Sequence, residues 1–292
     1  MFDSRTAIDK CLNIWYNKFK LMKGRLTDMR IGRIQNNYTA AGFDLVKNTN
    51  LEFIEICCNN QAEAEKLIAN KDNIKAEIAR TGIDVSCVGR WNHDINVGGK
   101  IDADRLNVYF AQLDAAVELG AKTFVCGCNY ADEVSLYKNY TVALDFLGQL
   151  TERAKASGSG IKIAIQNCHW NNFIDSPEQW KVILGENPDL WLKYDASHAY
   201  NRNADYLAEM SDYGEKIAHF HVKGTTHAGS RAVSDPPAGM DDLHWGSIFS
   251  ILYARGYDGD LSIEPHSKTW QGELGAAGVE FTRQFISKFV LK

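Results

Sequence analysis

No proline precedes Pro177, and the five in the chain (Pro177, Pro188, Pro236, Pro237 and Pro265) fall where loops or helix starts are expected. The chain therefore has few built-in breaks, and no proline- or glycine-rich linker marks a second domain. No window approaches the roughly 18 uninterrupted apolar residues of a membrane span. The opening Met1-Phe2-Asp3-Ser4-Arg5 has no apolar core of the kind a secretory leader needs. Positive charge is short as well: 32 Lys and Arg stand against 37 Asp and Glu, a net −5. That balance argues against a nucleic-acid partner, which normally leaves a basic patch. Paired CxxC units at zinc spacing are missing. The seven cysteines, Cys57-Cys58 and Cys126-Gly127-Cys128 among them, lie mostly within apolar runs, as reduced core thiols do. A soluble, cytoplasmic protein is expected.

What is present is a repeat. Short β-rich runs occur at Met29–Ile34, Leu51–Cys57, Ile83–Val88, Lys122–Cys126, Ile161–Gln166, Leu190–Asp195, Ile217–Val222 and Asp260–Glu264. Several are apolar without strict alternation, the pattern of strands covered on both faces. Helical periodicity fills the gaps, most clearly over Gln61–Arg80, Asp102–Leu119, Tyr137–Ser157, Leu243–Arg255 and Leu274–Phe289. Gly82, Gly120, Gly160 and Gly256 stand between a helix and the next strand, where a left-handed helix stop belongs. Eight such units predict an α/β fold, a single (β/α)8 TIM barrel over residues 25–292. The open doubly wound sheet normally has a glycine-rich phosphate loop after its first strand. Here Arg33-Ile34-Gln35-Asn36-Asn37-Tyr38 follows instead. Residues 1–24 form an N-terminal extension, with an amphipathic helix over Ser4 to Lys20 that offers a surface for a homo-oligomer. Gly224 to Met240 is the longest irregular stretch and suits a mobile lid.

In a TIM barrel the active site is built at the C-terminal ends of the strands. Those positions read Gln166-Asn167-Cys168-His169, then Asp195 with His198, then His219-Phe220-His221-Val222-Lys223, then Glu264-Pro265-His266. An amide, a carboxylate, an imidazole and a second carboxylate thus reach one rim. Oxygen and nitrogen donors without thiolate suit Mn²⁺, Mg²⁺, Co²⁺ or Zn²⁺. Asp195, standing before a helix, also has the position of an ordinary N-cap. Trp91, His93, His169 and Trp170 follow strands three and five, where aromatic walls suit the C–H faces of a sugar. Glu55 ends strand two and can point into the barrel mouth. His219, one pleat deeper than His221, reads as a packed histidine beneath the site.

From Ile161-to-His169 through Tyr194-Asp195-Ala196-Ser197-His198 and His219–Lys223 to Gly256-Tyr257-Asp258-Gly259-Asp260-Leu261-Ser262-Ile263-Glu264-Pro265, the chain resembles the xylose isomerase-like TIM barrel superfamily. The resemblance runs from about Arg30 to the C-terminus. It implies one divalent metal, Mn²⁺ first, held at the positions of Gln166, Asp195, His221 and Glu264. It also implies a substrate-contacting histidine at His198 and Glu264 as general base. Arg231, in the loop after strand seven, is a candidate to grip a substrate hydroxyl or carboxylate.

One position departs from the ketose 3-epimerase pattern: Gln166 stands where that branch has a glutamate. Glutamine neither takes nor returns a proton near neutral pH, so epimerisation between two carboxylates loses one of them. The expected activity is metal-dependent isomerisation or epimerisation of a small sugar or polyol carbonyl compound by enolisation. A lyase or dehydratase acting on a keto-sugar, inosose or keto-glycoside is the alternative. A sugar-binding or accessory subunit that has lost catalysis is the reading from another class. The endonuclease branch needs more metal-binding histidines and carboxylates and a basic DNA face.

Overall fold

The computed structural model describes residues 28–291. The helix expected within residues 1–24, and the boundary at residue 25, lie outside them. Eight parallel strands close a barrel: β1 (Arg30–Ile34), β2 (Phe53–Cys58), β3 (Asp84–Arg90), β4 (Thr123–Cys126), β5 (Lys162–Gln166), β6 (Trp191–Asp195), β7 (Ile217–Val222) and β8 (Asp260–Ile263). Neighbours in sequence are neighbours in space, and β1 closes on β8 through Arg30↔Asp260 to Arg33↔Ile263. The chain is a TIM barrel.

The helices around it are α1 (Ala40–Asn48), α2 (Gln61–Thr81), α3 (Ala103–Glu118), α4 (Leu136–Ala156), α5 (Pro177–Glu186), α6 (Ala196–Asn201), α7 (Tyr206–Tyr213), α8 (Trp245–Ala254) and α9 (Gly272–Ile286). Their starts follow local chemistry. Asn60, Asp102 and Ser135 each accept a hydrogen bond from the backbone N–H three residues on, satisfying donors that the first turn leaves free. At the other end of α2, Gly82 takes φ 75° and returns its N–H to Ile78 O at 2.8 Å, the left-handed stop that its position predicts. Among the described residues no helix is long and apolar enough to cross a membrane.

Alternation along each strand sorts the core into two shells. Ile54, Ile56, Val85, Phe124, Ile165, Leu192, Phe220 and Leu261 point outward and are buried under the helices. Cys57, Cys87, Trp91, Val125, Ala164 and Ala218 form the smaller interior cluster with Ile34 and Trp191. All six described cysteines are buried and free. The N-terminal end is plugged by charge: Arg30 bonds Asp260 at 2.7 and 2.8 Å and Asp84 at 2.9 Å, while Ser86 also donates to Asp260.

The stretch Gly224 to Met240 is less irregular than its sequence suggests. Thr226–Ala228 and Arg231–Ser234 form an antiparallel hairpin, turning at Gly229 with φ 65°. Asn201 Oδ1 accepts from Thr225 Oγ1 and approaches His227 Nε2, both at 2.8 Å, and His266 pairs with Asp235 at 2.8 Å. The hairpin is tied to α6 at one end and to the loop after β8 at the other. A second small hairpin, Asn96–Val97 with Lys100–Ile101, follows β3.

Candidate active site

Alternation also brings the polar residues together. Lys193 and Asp195 share the inner face of β6, His219 and His221 that of β7, and Ser262 that of β8, with Lys223 and Glu264 just beyond the last two strands. Register then sets neighbours: Gln166↔Lys193, Lys193↔His219, Asp195↔His221 and Ser262↔His221. The β6–β7 pairing shifts between Leu192 and Lys193, directly below these residues, so the irregularity re-aims the end of β6.

Asp195 combines its two expected roles. Its Oδ1 accepts from Ser197 N at 2.9 Å and Ser197 Oγ at 2.7 Å, capping α6. Its Oδ2 has no hydrogen-bond partner and faces the site, where Lys223 Nζ lies 3.1 Å away and His198 Nε2 3.5 Å away. Asn167 fixes the strand end, donating Nδ2 to Asp195 O at 2.8 Å and accepting from Asp195 N at 2.9 Å.

His221 is held on three sides. Its Nε2 lies 2.9 Å from both oxygens of Glu55, its Nδ1 lies 3.2 Å from Glu264 Oε2, and Trp91 stacks on it with centroids 6.3 Å apart. His219 Nε2 reaches the same Glu55 at 2.8 Å. Glu55 is fully buried with both oxygens taken by imidazoles, and Trp91 sits beneath His221 as an interior residue. Lys223 Nζ also lies 3.3 Å from Glu264 Oε2 and 3.3 Å from His198 Nε2. Asp195 and His221 are sealed at 0 % side-chain exposure, whereas Glu264 and His198 keep 17 % and 14 %, so approach from solvent meets these two first.

Gln166 takes part through a bracket. Its Nε2 lies 2.9 Å from His93 Nε2, and His93 Nδ1 lies 3.0 Å from Tyr109 OH. With the amide donating, Gln166 Oε1 is left buried without a partner. His169 is exposed, with its ring edge-on to His198 at 6.4 Å, and Arg231 is exposed on the outer strand of the hairpin. The structure thus gathers Asp195, His198, His221 and Glu264 closely and sets Gln166 and His93 beside them. Glu55 and Trp91 lie behind His221, and Arg231 stays at the surface.

Electrostatics follow from this burial. Burial alone would push the Glu264 carboxyl up, but the Lys223 ammonium and then His221 hold it well below the usual carboxylate range. Asp195 is likewise low against burial, through Lys223, His198 and Lys193. Glu55 is held low by its two histidines. Burial and then Lys223 keep His198 neutral, and burial takes His93 down to about 3. His221 is raised despite burial, chiefly by Glu55.

Asp195, His221 and Glu264 offer ligand atoms within 4.8 Å of one another. This set, with the unpartnered Gln166 Oε1 and with Asp195 Oδ2 and Glu264 Oε2 paired only to the Lys223 ammonium and to histidines, fits a hard or borderline divalent ion. His221 would ligate through Nδ1 while Nε2–H stays on Glu55, an arrangement that fixes tautomer and ring direction. Glu55, His219 and His221 form a second close group, but their imidazoles already bond the carboxylate. Lys193 and Lys223 join the site beyond the residues that strand-end position singles out. The signal was there: Lys193 stands two residues before Asp195 and Lys223 two after His221, on the same inner faces.

The family described as xylose isomerase-like TIM barrel matches residues 43–285. The uncharacterized protein YfiH of Bacillus subtilis (strain 168) is 27% identical over 176 residues, 52% of this chain and 55% of that protein. An L-ribulose 3-epimerase of Mesorhizobium japonicum is 27% identical over 123 residues, 41% of this chain and 39% of that protein. The chain therefore spans about half or less of the curated relatives it matches. Among solved structures, 3-keto-D-glucoside 4-epimerase YcjR from E. coli superposes with a TM-score of 0.70 at 17% identity, covering 89% of this chain and 99% of that one. D-allulose 3-epimerase from Methylomonas sp. gives 0.71 at 14%, covering 91% and 98%. At these identities the structures show a shared fold.

Proposed function

Because the chain belongs to the xylose isomerase-like TIM barrel family, we propose that it is a divalent-metal-dependent enzyme that enolises a small sugar or polyol carbonyl compound. The observation that carries this is the convergence of Asp195, His221 and Glu264 within 4.8 Å, beside the unpartnered Gln166 Oε1. These four residues would hold the ion, Mn²⁺ first among Mn²⁺, Mg²⁺, Co²⁺ and Zn²⁺. Bound there, it would supply Lewis acidity to a carbonyl and a neighbouring hydroxyl oxygen, making the adjacent C–H more acidic.

The chain's own groups do the rest. Glu264 is the partly exposed carboxylate and is anionic at neutral pH, so it accepts the substrate proton. Lys223 Nζ, on the same side, donates to the oxygen on which charge develops, and His198 braces that ammonium through Nε2. Gln166 binds without exchanging a proton. One base favours proton transfer on a single face, as in aldose–ketose isomerisation. The same feature favours a second reading, elimination of a β-hydroxyl from a keto-sugar or keto-glycoside, with the single base again removing the proton.

Metal analysis comes first: purified protein should hold close to one equivalent of divalent ion after soaking, and less than about a tenth sinks the reading. With metal bound, deuterium should enter a ketose or keto-glycoside from solvent; its absence across a panel would leave a sugar-binding protein. Formation of an unsaturated product distinguishes elimination from isomerisation. In Gln166→Glu, metal affinity should rise at least tenfold, and an unchanged affinity removes Gln166 from the ligand set.

A further inference from the structure

The loop that follows β8 combines a strained backbone with an unused donor. Ser267 takes φ 111°, a conformation that residues other than glycine rarely adopt and keep only where their surroundings impose it. Ser267 Oγ accepts from Thr269 N at 3.1 Å and Ser267 O accepts from Gln271 Nε2 at 2.8 Å, so the bend is locked from both sides. It returns the chain to α9, where the six-membered edge of Trp270 packs on Gly278. A Cβ there would lie 3.2 Å from Trp270 Cε3 and 2.9 Å from Pro237 Cγ. That contact turns the opposite edge of the indole, with Nε1, away from α9. Trp270 Nε1 is buried and has no hydrogen-bond partner among the described residues.

A cavity adjoins this residue. Lys223, Glu264 and Trp270 line it together with Asp235–Ala238, the arm that leaves the hairpin, and the space open to a water-sized group is about 20 Å³. One water needs roughly 10–15 Å³ of such space, so the cavity admits a single oxygen with its hydrogens and no second heavy group. An indole nitrogen only donates, so its partner must be an acceptor. The two carboxylates on the wall are engaged elsewhere, Glu264 with His221 and Lys223, and Asp235 with His266. A buried N–H left unpaired is costly. The acceptor for Trp270 therefore has to be what the cavity holds.

We propose that the cavity is a subsite for one unsubstituted hydroxyl of the substrate, which accepts from Trp270 Nε1 and replaces a water held there in the free protein. Because Glu264 forms part of the wall, this hydroxyl belongs to the stretch of the sugar beside the carbon that Glu264 deprotonates. The inference rests on the enolisation proposed above and narrows its substrate class to carbonyl sugars with a free hydroxyl at that position. A deoxy compound leaves the N–H unpaired, and an O-alkylated or O-glycosylated one exceeds the space. Trp270 is thus a specificity-determining residue that binds an oxygen and exchanges no proton.

The test is a double-mutant cycle between protein and sugar, read by calorimetry on Mn²⁺-loaded protein. The probes are D-fructose and D-tagatose, each with its series of monodeoxy analogues. Removing a hydroxyl that meets the metal or another side chain should weaken binding equally in wild type and in Trp270→Phe. One position should behave differently. Its loss should weaken wild-type binding about fivefold, the size of one neutral hydrogen bond, and weaken Trp270→Phe less than twofold. The O-methyl ether at that position should bind wild type at least tenfold more weakly than the deoxy analogue. Gly278→Ala suits the helix but pushes on the indole and on Pro237, and it should abolish the same fivefold difference, so the test survives a Trp270→Phe that fails to fold. Ketose binding with no position that depends on Trp270 overturns the subsite and leaves the enolising reading intact. A wild-type protein that binds Mn²⁺ but neither ketose removes both.

Discussion

Single side chains decide what this rim can do. Asp195 divides its oxygens, one capping α6 and one facing His198 and Lys223, so a helix cap and a metal ligand are compatible in one residue. Gln166 gives its amide N–H to His93 and keeps its carbonyl oxygen for the site. Glu55 holds His221 in the direction that turns Nδ1 towards Glu264. Glu55→Gln should therefore weaken metal binding by about 10- to 100-fold, the usual effect of losing the partner of a ligating histidine. A metal titration that returns the wild-type affinity would show that Glu55 does not orient the ligand.

At the level of elements, the loops behind the strand ends keep these side chains in place. His93 stands on the segment after β3 and Gln166 at the end of β5, and β4 passes between them, with Gly127 directly after its last residue. A Cβ on Gly127 would lie 2.5 Å from Asn172 Oδ1 and 2.8 Å from His93 Nε2. The glycine is needed for this close approach, since neither neighbour has room to retreat. Gly127→Ala should cost about 1–3 kcal/mol through overpacking, read as a lowered urea midpoint, and metal affinity should fall with it because His93 positions Gln166. A variant as stable as wild type would mean that the bracket yields easily.

For the whole molecule, burial of so many titratable groups makes stability depend on pH in a defined way. His93 and His198 have folded pKa values below the unfolded 6.5, so each contributes stability that is lost as pH falls below 6.5. The slope is about 1.4 kcal/mol per pH unit for each. Glu55, Asp195 and Glu264, also depressed, add a further loss below about pH 4. His221 acts oppositely: its folded pKa is raised, so its contribution is full below 6.5 and is lost as pH rises through the folded value. Urea unfolding of chelated protein from pH 4 to 9 should give maximal stability near pH 6.5. A curve that climbs steadily to pH 9 would contradict this account.

Much of the architecture was legible in the chain. Every expected strand overlaps one observed, because both faces of a barrel strand are buried and the apolar runs record it directly. The helix stops at Gly82, Gly120 and Gly256 were legible too, since a positive φ near 75° suits glycine and few other residues. Strand-end position also singled out Gln166, Asp195, His221 and Glu264. What alternation could not supply was the depth and partner of each inward group. Glu55 reads as a rim residue in sequence, yet two histidines from β7, across the barrel, hold both its oxygens in the interior. Arg231 sits in the loop that follows β7, yet the hairpin turns it out to the surface. Lys193 and Lys223 look like ordinary charges until closure of the sheet sets one beside Gln166 with no partner and the other between Asp195 and Glu264. Hydrophobic burial along a strand is written locally, one residue at a time. Charge balance is a sum over groups far apart in sequence, and only the closed barrel brings its terms together.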